Sequence, residues 1–180
     1  MALLTTKRLS VSIAGKWICR DLDMRIDEGQ RWAVLGPNGS GKTTLLHTLA
    51  GLRMTQGGEI MLQDRSLNNW HPRDRARLIG TLLQHYDDPF PSTVLETALI
   101  GRHPYLERWQ WEGHNDIQRA RRALQMMDLQ GFEARHIATL SGGERRRLAI
   151  ATLLTQDPSL FLLDEPKTLK HVVVVNAQIN

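Results

Sequence analysis

The chain has 180 residues, and its 23 Lys and Arg outnumber its 19 Asp and Glu, which gives a formal net charge of +4. A hydrophobic content of 41% and a charged content of 23% are typical of a globular domain and exclude a disordered or collagen-like chain. At this length we expect a single core, and no apolar run is long enough for a transmembrane helix. A single cysteine, Cys19, cannot form an intramolecular disulfide, so we expect a cytoplasmic protein.

The excess of basic residues raises the question of nucleic-acid binding. The arginines cluster where helices are predicted, and aromatic residues do not interleave with them as a single-strand binding surface requires. Solvated helix faces explain these clusters better, and no nucleic-acid partner is expected.

In the first half of the chain, turns and apolar runs alternate. The first 30 residues predict an antiparallel hairpin with turns at 14–16 and 27–29. The apolar run Trp32 to Leu35 predicts a strand buried on both faces. A helix with Leu45, Leu46, Leu49 and Ala50 on one face, ending at Gly51, follows a glycine-rich loop, and strands are predicted at Glu59–Leu62 and Ile79–Leu83.

The second half is more helical. Helices are predicted over Val94–Ile100, over a longer segment capped by Asn115 or Asp116 with Ile117, Ala120, Leu124 and Met127 inside, and over Gly142–Gln156 before Pro158. Leu160 to Leu163 predicts a second buried strand. Strands alternating with helices indicate an α/β fold with a parallel sheet, to which 85–140 adds a small helical subdomain.

A phosphate-binding loop is the strongest local signal. The pattern GxxxxGK[ST] is matched by Gly36, Pro37, Asn38, Gly39, Ser40, Gly41, Lys42 and Thr43, with Thr44 next in the helix. The glycines let backbone N–H groups converge on phosphate oxygens, and Lys42 adds a full charge near the β and γ phosphates. Thr43 offers a hydroxyl to Mg²⁺, so ATP with Mg²⁺ is the expected ligand.

An acidic pair ends the second apolar strand. Asp164 is expected at the carboxyl edge of the sheet, where it can hold Mg²⁺. Glu165 points elsewhere and is the candidate that polarises an attacking water.

The segment Leu140, Ser141, Gly142, Gly143 and Glu144 opens the helix before that strand. Here the chain resembles the ATP-binding cassette (ABC) ATPases, P-loop NTPases whose signature motif is LSGGE/Q. The resemblance implies that Ser141 to Glu144 complete the nucleotide site of an opposite subunit, in a head-to-tail homodimer or with a second cassette. Gln84 matches the glutamine of the family that touches Mg²⁺ and the attacking water.

The resemblance departs at the adenine platform. The aromatic residue that stacks on adenine falls near Ile13, which offers only apolar contact. The sequence leaves open whether Trp17, four residues further on, takes the place of that aromatic residue.

The segment Leu99 to Tyr105 is similar to the GRxPY/H segment of importer ATPases for ferric siderophores, haem and cobalamin. It implies a transport ATPase that docks on a transmembrane permease at the inner face of the cell membrane. We expect a cassette domain over 1–166 and a divergent tail over 167–180.

The resemblance stops after Pro166, where the family continues into a D-loop and a switch histidine. A frameshift, an early stop and a junction introduced by cloning would each explain this departure. We expect the C-terminal part of the family fold to be missing. We also expect ATP to be bound but hydrolysed slowly. Val172 to Val175 forms either a strand or an adhesive sheet edge.

Two alternative functions remain. One is a cassette that acts on nucleic acid or in translation, and the other is a noncatalytic nucleotide-binding remnant.

Overall fold

A computed structural model describes residues 1–82 and 91–164, together with the backbone of a strand at 172–175. The strands are β1 Ala2–Ile13, β2 Lys16–Asp27, β3 Arg31–Val34, β4 Gly57–Leu62, β5 Arg65–Ser66, β6 Ile79–Leu82, β7 Leu160–Leu163 and β8 Val172–Val175. The α-helices are α1 Lys42–Leu49, α2 Pro72–Leu78, α3 Val94–Leu99, α4 His114–Met126 and α5 Gly142–Gln156. Short 3₁₀ helices cover Leu67–Asn69, Ile100–Tyr105 and Ile137–Thr139.

The chain divides into two compact units, one made of 1–84 and 159–180 and the other of 85–158. Each has its own hydrophobic cluster. Leu9, Leu46 and Leu162 belong to the first cluster, and Leu124 and Leu148 to the second. The single core expected from the chain length is therefore wrong, because the helices of the second unit bury their apolar faces against one another.

The N-terminal hairpin is confirmed. β1 and β2 pair antiparallel, and β4 and β5 extend them into a sheet of order β2-β1-β4-β5. The turn between β1 and β2 has a positive φ at Ala14 and at Gly15, as a two-residue turn that matches strand twist requires. This sheet packs Leu9 and Val11 onto α1 through the first cluster.

The second sheet positions the candidate site. Its order is β3-β8-β7-β6, in which β6 and β7 are parallel and β8 is antiparallel to both β3 and β7. It follows that β3, β6 and β7 run in one direction, in line with the expected mostly parallel sheet. Of the two alternatives for Val172 to Val175, the strand is confirmed, and it lies inside the sheet.

The strand β3 is not buried on both faces, as its apolar sequence led us to expect. Arg31, Trp32 and Ala33 are exposed, Val34 is half-buried, and Leu35 lies beyond the strand and is also exposed. The reason is its place in the sheet: among the described strands β3 is an outer one, paired on one side only, with β8. An apolar run alone does not reveal which strand lies at the edge.

The second unit packs α3, α4 and α5 around Val94, Ala120, Leu124 and Ala151. The predicted helix α4 is confirmed, but it begins earlier than expected. Its N-cap is Gly113, whose N–H donates to Asp116 Oδ2 at 3.0 Å, so Asp116 stabilises the first turn from inside the helix. No helix in the described ranges has both the length and the apolar character needed to cross a bilayer.

A backbone contact in the first sheet generates a stability prediction. Gly58 has φ +77°, and a Cβ there would lie 2.1 Å from the carbonyl oxygen of Arg8, whereas Gly29 has φ +79° and open space around it. We expect Gly58→Ala to lower the free energy of unfolding by about 3 kcal/mol or more, since a clash adds to the backbone strain. Gly29→Ala should cost only about 1–2 kcal/mol.

Urea denaturation followed by circular dichroism measures both variants. Equal losses for Gly58→Ala and Gly29→Ala would contradict the close approach of β4 to β1.

Candidate functional site

The loop between β3 and α1 carries the predicted phosphate-binding sequence. Helix α1 begins at Lys42, and the N–H of Leu45 donates to the carbonyl of Gly41 at 2.9 Å. The amides of Lys42, Thr43 and Thr44 come before this bond and have no acceptor within the helix. They give the N-terminus of α1 the donors and the partial positive charge that bind an anion.

Gly41 is required by close packing. It has φ +95°, and a Cβ on it would lie 2.6 Å from Cγ1 of Ile18 on β2. A side chain here would force either the loop or the Ile18 side chain to shift, so glycine permits the close contact between the start of α1 and the first sheet.

The ammonium group of Lys42 lies inside the loop. The residue is only 8% exposed, and Nζ donates to the carbonyl oxygens of Gly36 at 2.9 Å and Pro37 at 3.0 Å. Among the described residues its recorded acceptors are neutral carbonyls, so no carboxylate there competes with an anion that enters the loop.

Asp164 follows β7, as predicted, and its residue is 1% exposed. Its backbone N–H donates to the carbonyl of Leu82 on β6 at 2.8 Å. Neither carboxylate oxygen has a hydrogen-bond partner among the described residues. A buried carboxylate without a donor is costly, and a cation at this position would offset that cost.

The register of the second sheet places these two features at one edge. Ala33 of β3 and Leu163 of β7 both pair with Val173 of β8, so the strands end at the same level. Two strand spacings separate them, about 10 Å. The loop after β3 and Asp164 after β7 therefore lie at the same edge of the sheet, where the parallel strands end and α/β sheets bind ligands.

The next two predicted residues lie outside the described residues. Gln84 comes two residues after β6, and Glu165 directly follows Asp164. Their assignments stay predictions.

The register of the hairpin separates the two candidate adenine platforms. Ile18 is an extra residue between the pairs Ser12–Trp17 and Val11–Cys19, and it packs against the first cluster with Cys19. Trp17 shares the opposite face with Ser12, while Ile13 shares the face of Val11. The loop-facing side of the hairpin thus offers Ile13 and not Trp17.

In the second unit, Ser141 caps α5. Its backbone N–H donates to Glu144 Oε2 at 2.6 Å, and its Oγ accepts from the Glu144 N–H at 3.3 Å. These hydrogen bonds, with Arg135 and Arg147 nearby, hold the pKa of Glu144 below its usual value. Glu144 therefore stays ionised and keeps the helix start in place at neutral pH.

The two signature glycines, Gly142 and Gly143, lie on the surface of this unit. Both are exposed, and a Cβ on Gly142 would meet no atom within 4 Å. Since the fold would accept a side chain here, the absence of one suits a ligand that approaches the helix N-terminus closely.

Comparison with known families identifies the lineage. The family described as "ABC transporter" matches residues 19–168. The chain belongs to the ABC transporter family. Among its curated relatives, the Hemin import ATP-binding protein HmuV of Myxococcus xanthus is 40% identical over 152 residues, which cover 81% of this chain and 56% of the relative. The Ferric enterobactin transport ATP-binding protein FepC of Escherichia coli is 33% identical, covering 93% of this chain and 62% of the relative.

A solved structure supports the same relationship. A chain of a metal-chelate type ABC transporter in an inward-facing conformation aligns with TM-score 0.77 and 29% identity, covering 93% of this chain and 61% of that chain. A nucleotide-free ATP-binding cassette at 23% identity and TM-score 0.75 shares the fold. This ABC transporter chain spans about 60% of the length of these relatives.

Sequence analysis missed a structural clamp in this ABC transporter chain. Arg102 donates from Nε to Asp116 Oδ1 at 2.8 Å and from Nη1 to the Thr155 carbonyl at 3.3 Å. Its guanidinium lies 3.8 Å from the ring centre of Tyr105. The segment Leu99 to Tyr105, which resembles a segment of importer ATPases, therefore connects the 3₁₀ helix to α4 and α5 through Arg102. The sequence feature that marks this clamp is the pair Gly101 and Arg102. Gly101 lies against the backbone of α5, where a Cβ on it would be 2.3 Å from the Thr152 carbonyl oxygen, and this close approach lets Arg102 reach the helix.

The clamp predicts a pH-dependent stability. Burial raises the pKa of Asp116, but the hydrogen bonds from Arg102 and Gly113 outweigh it and hold the pKa below the usual 3.8. A lowered pKa contributes stability that is present above about pH 4 and is lost as the pH falls through the lower, folded value. Asp116→Asn should destabilise the chain by about 1–3 kcal/mol at pH 7, and the difference should shrink below pH 4.

Denaturant midpoints measured from pH 7 down to pH 3 test this, with Asp128→Asn, at an exposed position in the turn after α4, as the control. A difference between Asp116→Asn and the parent that is the same at every pH would contradict the ionic clamp.

Proposed function

We propose that the chain is the ATP-binding and ATP-hydrolysing subunit of an importer for a metal chelate such as a ferric siderophore, haem or cobalamin. The observation that carries the proposal is a pair of buried charges at one sheet edge. Lys42 faces into the loop after β3, and Asp164 follows β7 with no partner among the described residues. Mg-ATP supplies the anion and the cation that these two groups lack.

Phosphate binding would use the loop Gly36 to Thr44. The first-turn amides of α1 would donate to phosphate oxygens, and Lys42 Nζ would exchange its two carbonyl acceptors for charged oxygens. Because the ammonium is already buried, this exchange adds little desolvation cost and gains charge-assisted hydrogen bonds.

The residues present fit a magnesium ion. Asp164 offers two buried carboxylate oxygens that accept from no donor in the described part of the chain, and Thr43 offers an exposed hydroxyl in the first turn of α1. Oxygen ligands from one or two side chains, completed by phosphates and water, suit Mg²⁺. The ion would neutralise charge on the phosphates during hydrolysis, and Gln84 is proposed as a further ligand.

Hydrolysis also needs a positioned water and a second subunit. Glu165 is proposed to polarise the water, and Gln84 to orient it. Ser141, Gly142, Gly143 and Glu144 would face the nucleotide of a partner cassette in a head-to-tail dimer. The open surroundings of Gly142 support this role.

The importer class is supported by the relatives. HmuV is named for hemin import and FepC for ferric enterobactin transport, and the aligned solved structure is of a metal-chelate type transporter. Such a subunit works with a transmembrane permease, at the inner face of the membrane. The segment Leu99 to Tyr105 supports the importer class only by its sequence similarity. Its arginine, Arg102, bonds to Asp116 and to the Thr155 carbonyl and therefore gives no evidence of contact with a transported substrate. Slow hydrolysis by the 180-residue chain stays a prediction.

The first test is nucleotide affinity. Lys42→Ala removes the buried ammonium and should weaken ATP binding about ten- to hundredfold, the equivalent of roughly 1.5–3 kcal/mol. Lys7→Ala, an exposed lysine on β1, is the matched control and should bind like the parent. Isothermal titration calorimetry measures all three proteins. Equal affinities for the parent and Lys42→Ala would refute the phosphate site.

The second test separates metal binding from folding. Without nucleotide and Mg²⁺, Asp164→Asn should raise the free energy of unfolding by about 1 kcal/mol or more, since it removes a buried charge that has no partner among the described residues. The same variant should lose the gain in ATP affinity that Mg²⁺ gives the parent, about tenfold or more.

Asp64→Asn, in an exposed turn, should change neither quantity. If Asp164→Asn destabilised the free chain and kept its Mg²⁺ response, Asp164 would have a structural role instead.

A further inference from the structure

A lysine at the tip of the N-terminal hairpin has no partner among the described residues. Lys16 is the first residue of β2 and is exposed, and its side chain makes no hydrogen bond or ion pair with another described residue. Two other cations of the same strand are engaged. The guanidinium of Arg20 lies 4.5 Å from the ring centre of Trp17. Arg25 pairs with Asp27 at 2.9 Å.

The register of the hairpin decides which way Lys16 faces. Lys16 pairs with Ile13 across the turn, and opposite residues of an antiparallel pair share a face. Ile13 in turn shares the face of Val11, which is fully buried in the first hydrophobic cluster. Lys16 therefore lies on the side of the hairpin that packs onto α1, whereas Trp17 and the Arg20 that stacks on it lie on the opposite side.

The same side of the hairpin touches the phosphate-binding loop. Ile18, two residues after Lys16, packs so closely on Gly41 that a Cβ on this glycine would lie 2.6 Å from Ile18 Cγ1. Two residues of a strand span about 7 Å. A lysine covers much of this distance, because its ammonium stands on a flexible four-carbon stem. The ammonium of Lys16 can therefore reach a ligand held at the start of α1.

The tip of the hairpin is also held from the far end of α1. The Ser12 N–H donates to Gln56 Oε1 at 2.6 Å, and the Gln56 N–H donates to the carbonyl of Ser10 at 3.0 Å. These bonds tie the end of β1 to the segment that follows α1. Since contacts at both ends of α1 fix the hairpin, Lys16 has only its own side chain to order on binding, which limits the entropy lost.

We propose that Lys16 is a second cation of the nucleotide site and binds the phosphate next to the ribose. The inference rests on the proposed function, in which the loop and Lys42 bind the β and γ phosphates. A nucleotide that extends from Lys42 toward Ile13 places its α-phosphate beside the strand that carries Lys16. An ammonium and a phosphate oxygen form a charge-assisted hydrogen bond. ATP and GTP share this phosphate, so Lys16 strengthens the binding of both nucleotides by the same factor.

Isothermal titration calorimetry of the full chain with Mg-ATP and with Mg-GTP tests the role of Lys16. Lys16→Gln should weaken the binding of both nucleotides about three- to tenfold, between the effect of an exposed ion pair and that of a buried charged hydrogen bond. Lys16→Arg keeps the charge and should restore most of the affinity. Arg20→Gln, on the same strand and on the opposite face, is the matched control and should bind like the parent.

Salt separates this role from a structural one. Because Lys16 is exposed, dissolved ions screen its contact, so the ratio of the dissociation constants of Lys16→Gln and the parent should fall toward one as NaCl rises from about 0.05 M to about 0.5 M. The buried Lys42 should keep most of its effect over this range. Without nucleotide, Lys16→Gln and the parent should have the same free energy of unfolding.

The outcomes distinguish the role of Lys16 from that of the loop. The expected loss for Lys42→Ala with no loss for Lys16→Gln would overturn the role of Lys16 and leave the phosphate site intact. No loss for Lys42→Ala would refute the phosphate site itself. An equal loss in Arg20→Gln would also overturn the role of Lys16, and a loss for ATP alone would overturn the phosphate contact in favour of a contact with the base.

Discussion

The common direction of β3, β6 and β7 is the constraint on which the candidate site depends. Because these strands end at one edge of the sheet, the loop that buries Lys42 and the strand end that buries Asp164 lie at that same edge, two strand positions apart. The two charges differ in their hydrogen bonds. The Lys42 ammonium donates to two carbonyl groups, whereas no described residue donates to the Asp164 carboxylate. A buried carboxylate without a partner lowers the stability of a fold, and a ligand that pairs with it would restore that stability.

The helical unit illustrates a different use of buried charge. Arg102 is paired on several sides, so it stabilises the contact of α4 with α5 and leaves no group for a ligand. At the other end of α5, Ser141 and Glu144 satisfy each other, while Gly142 and Gly143 stay open. One long helix thus has a closed structural end and an open end that suits an approaching anion.

Sequence reasoning located the elements and motifs well, since glycine patterns and apolar periodicity are local. The phosphate loop, the helix that begins after Ser141 and the strand before Asp164 all lie where the sequence placed them. The exposure of β3, the opposite faces of Ile13 and Trp17, and the Arg102 clamp could not be predicted, because each depends on pairing between distant segments. The bulge at Ile18 and the left-handed backbone of Trp109 leave no clear pattern in the sequence.

The central claim is that Lys42 and Asp164 hold opposite ends of one metal–nucleotide ligand. A crystal structure of the chain with a nonhydrolysable ATP analogue and Mn²⁺, located by anomalous scattering, tests it most directly. We predict Mn²⁺ bonded to or bridged by water to Asp164, and Lys42 Nζ moved from the carbonyls of Gly36 and Pro37 to phosphate oxygens. A nucleotide bound elsewhere, with Lys42 still on both carbonyls and no metal near Asp164, would contradict the account.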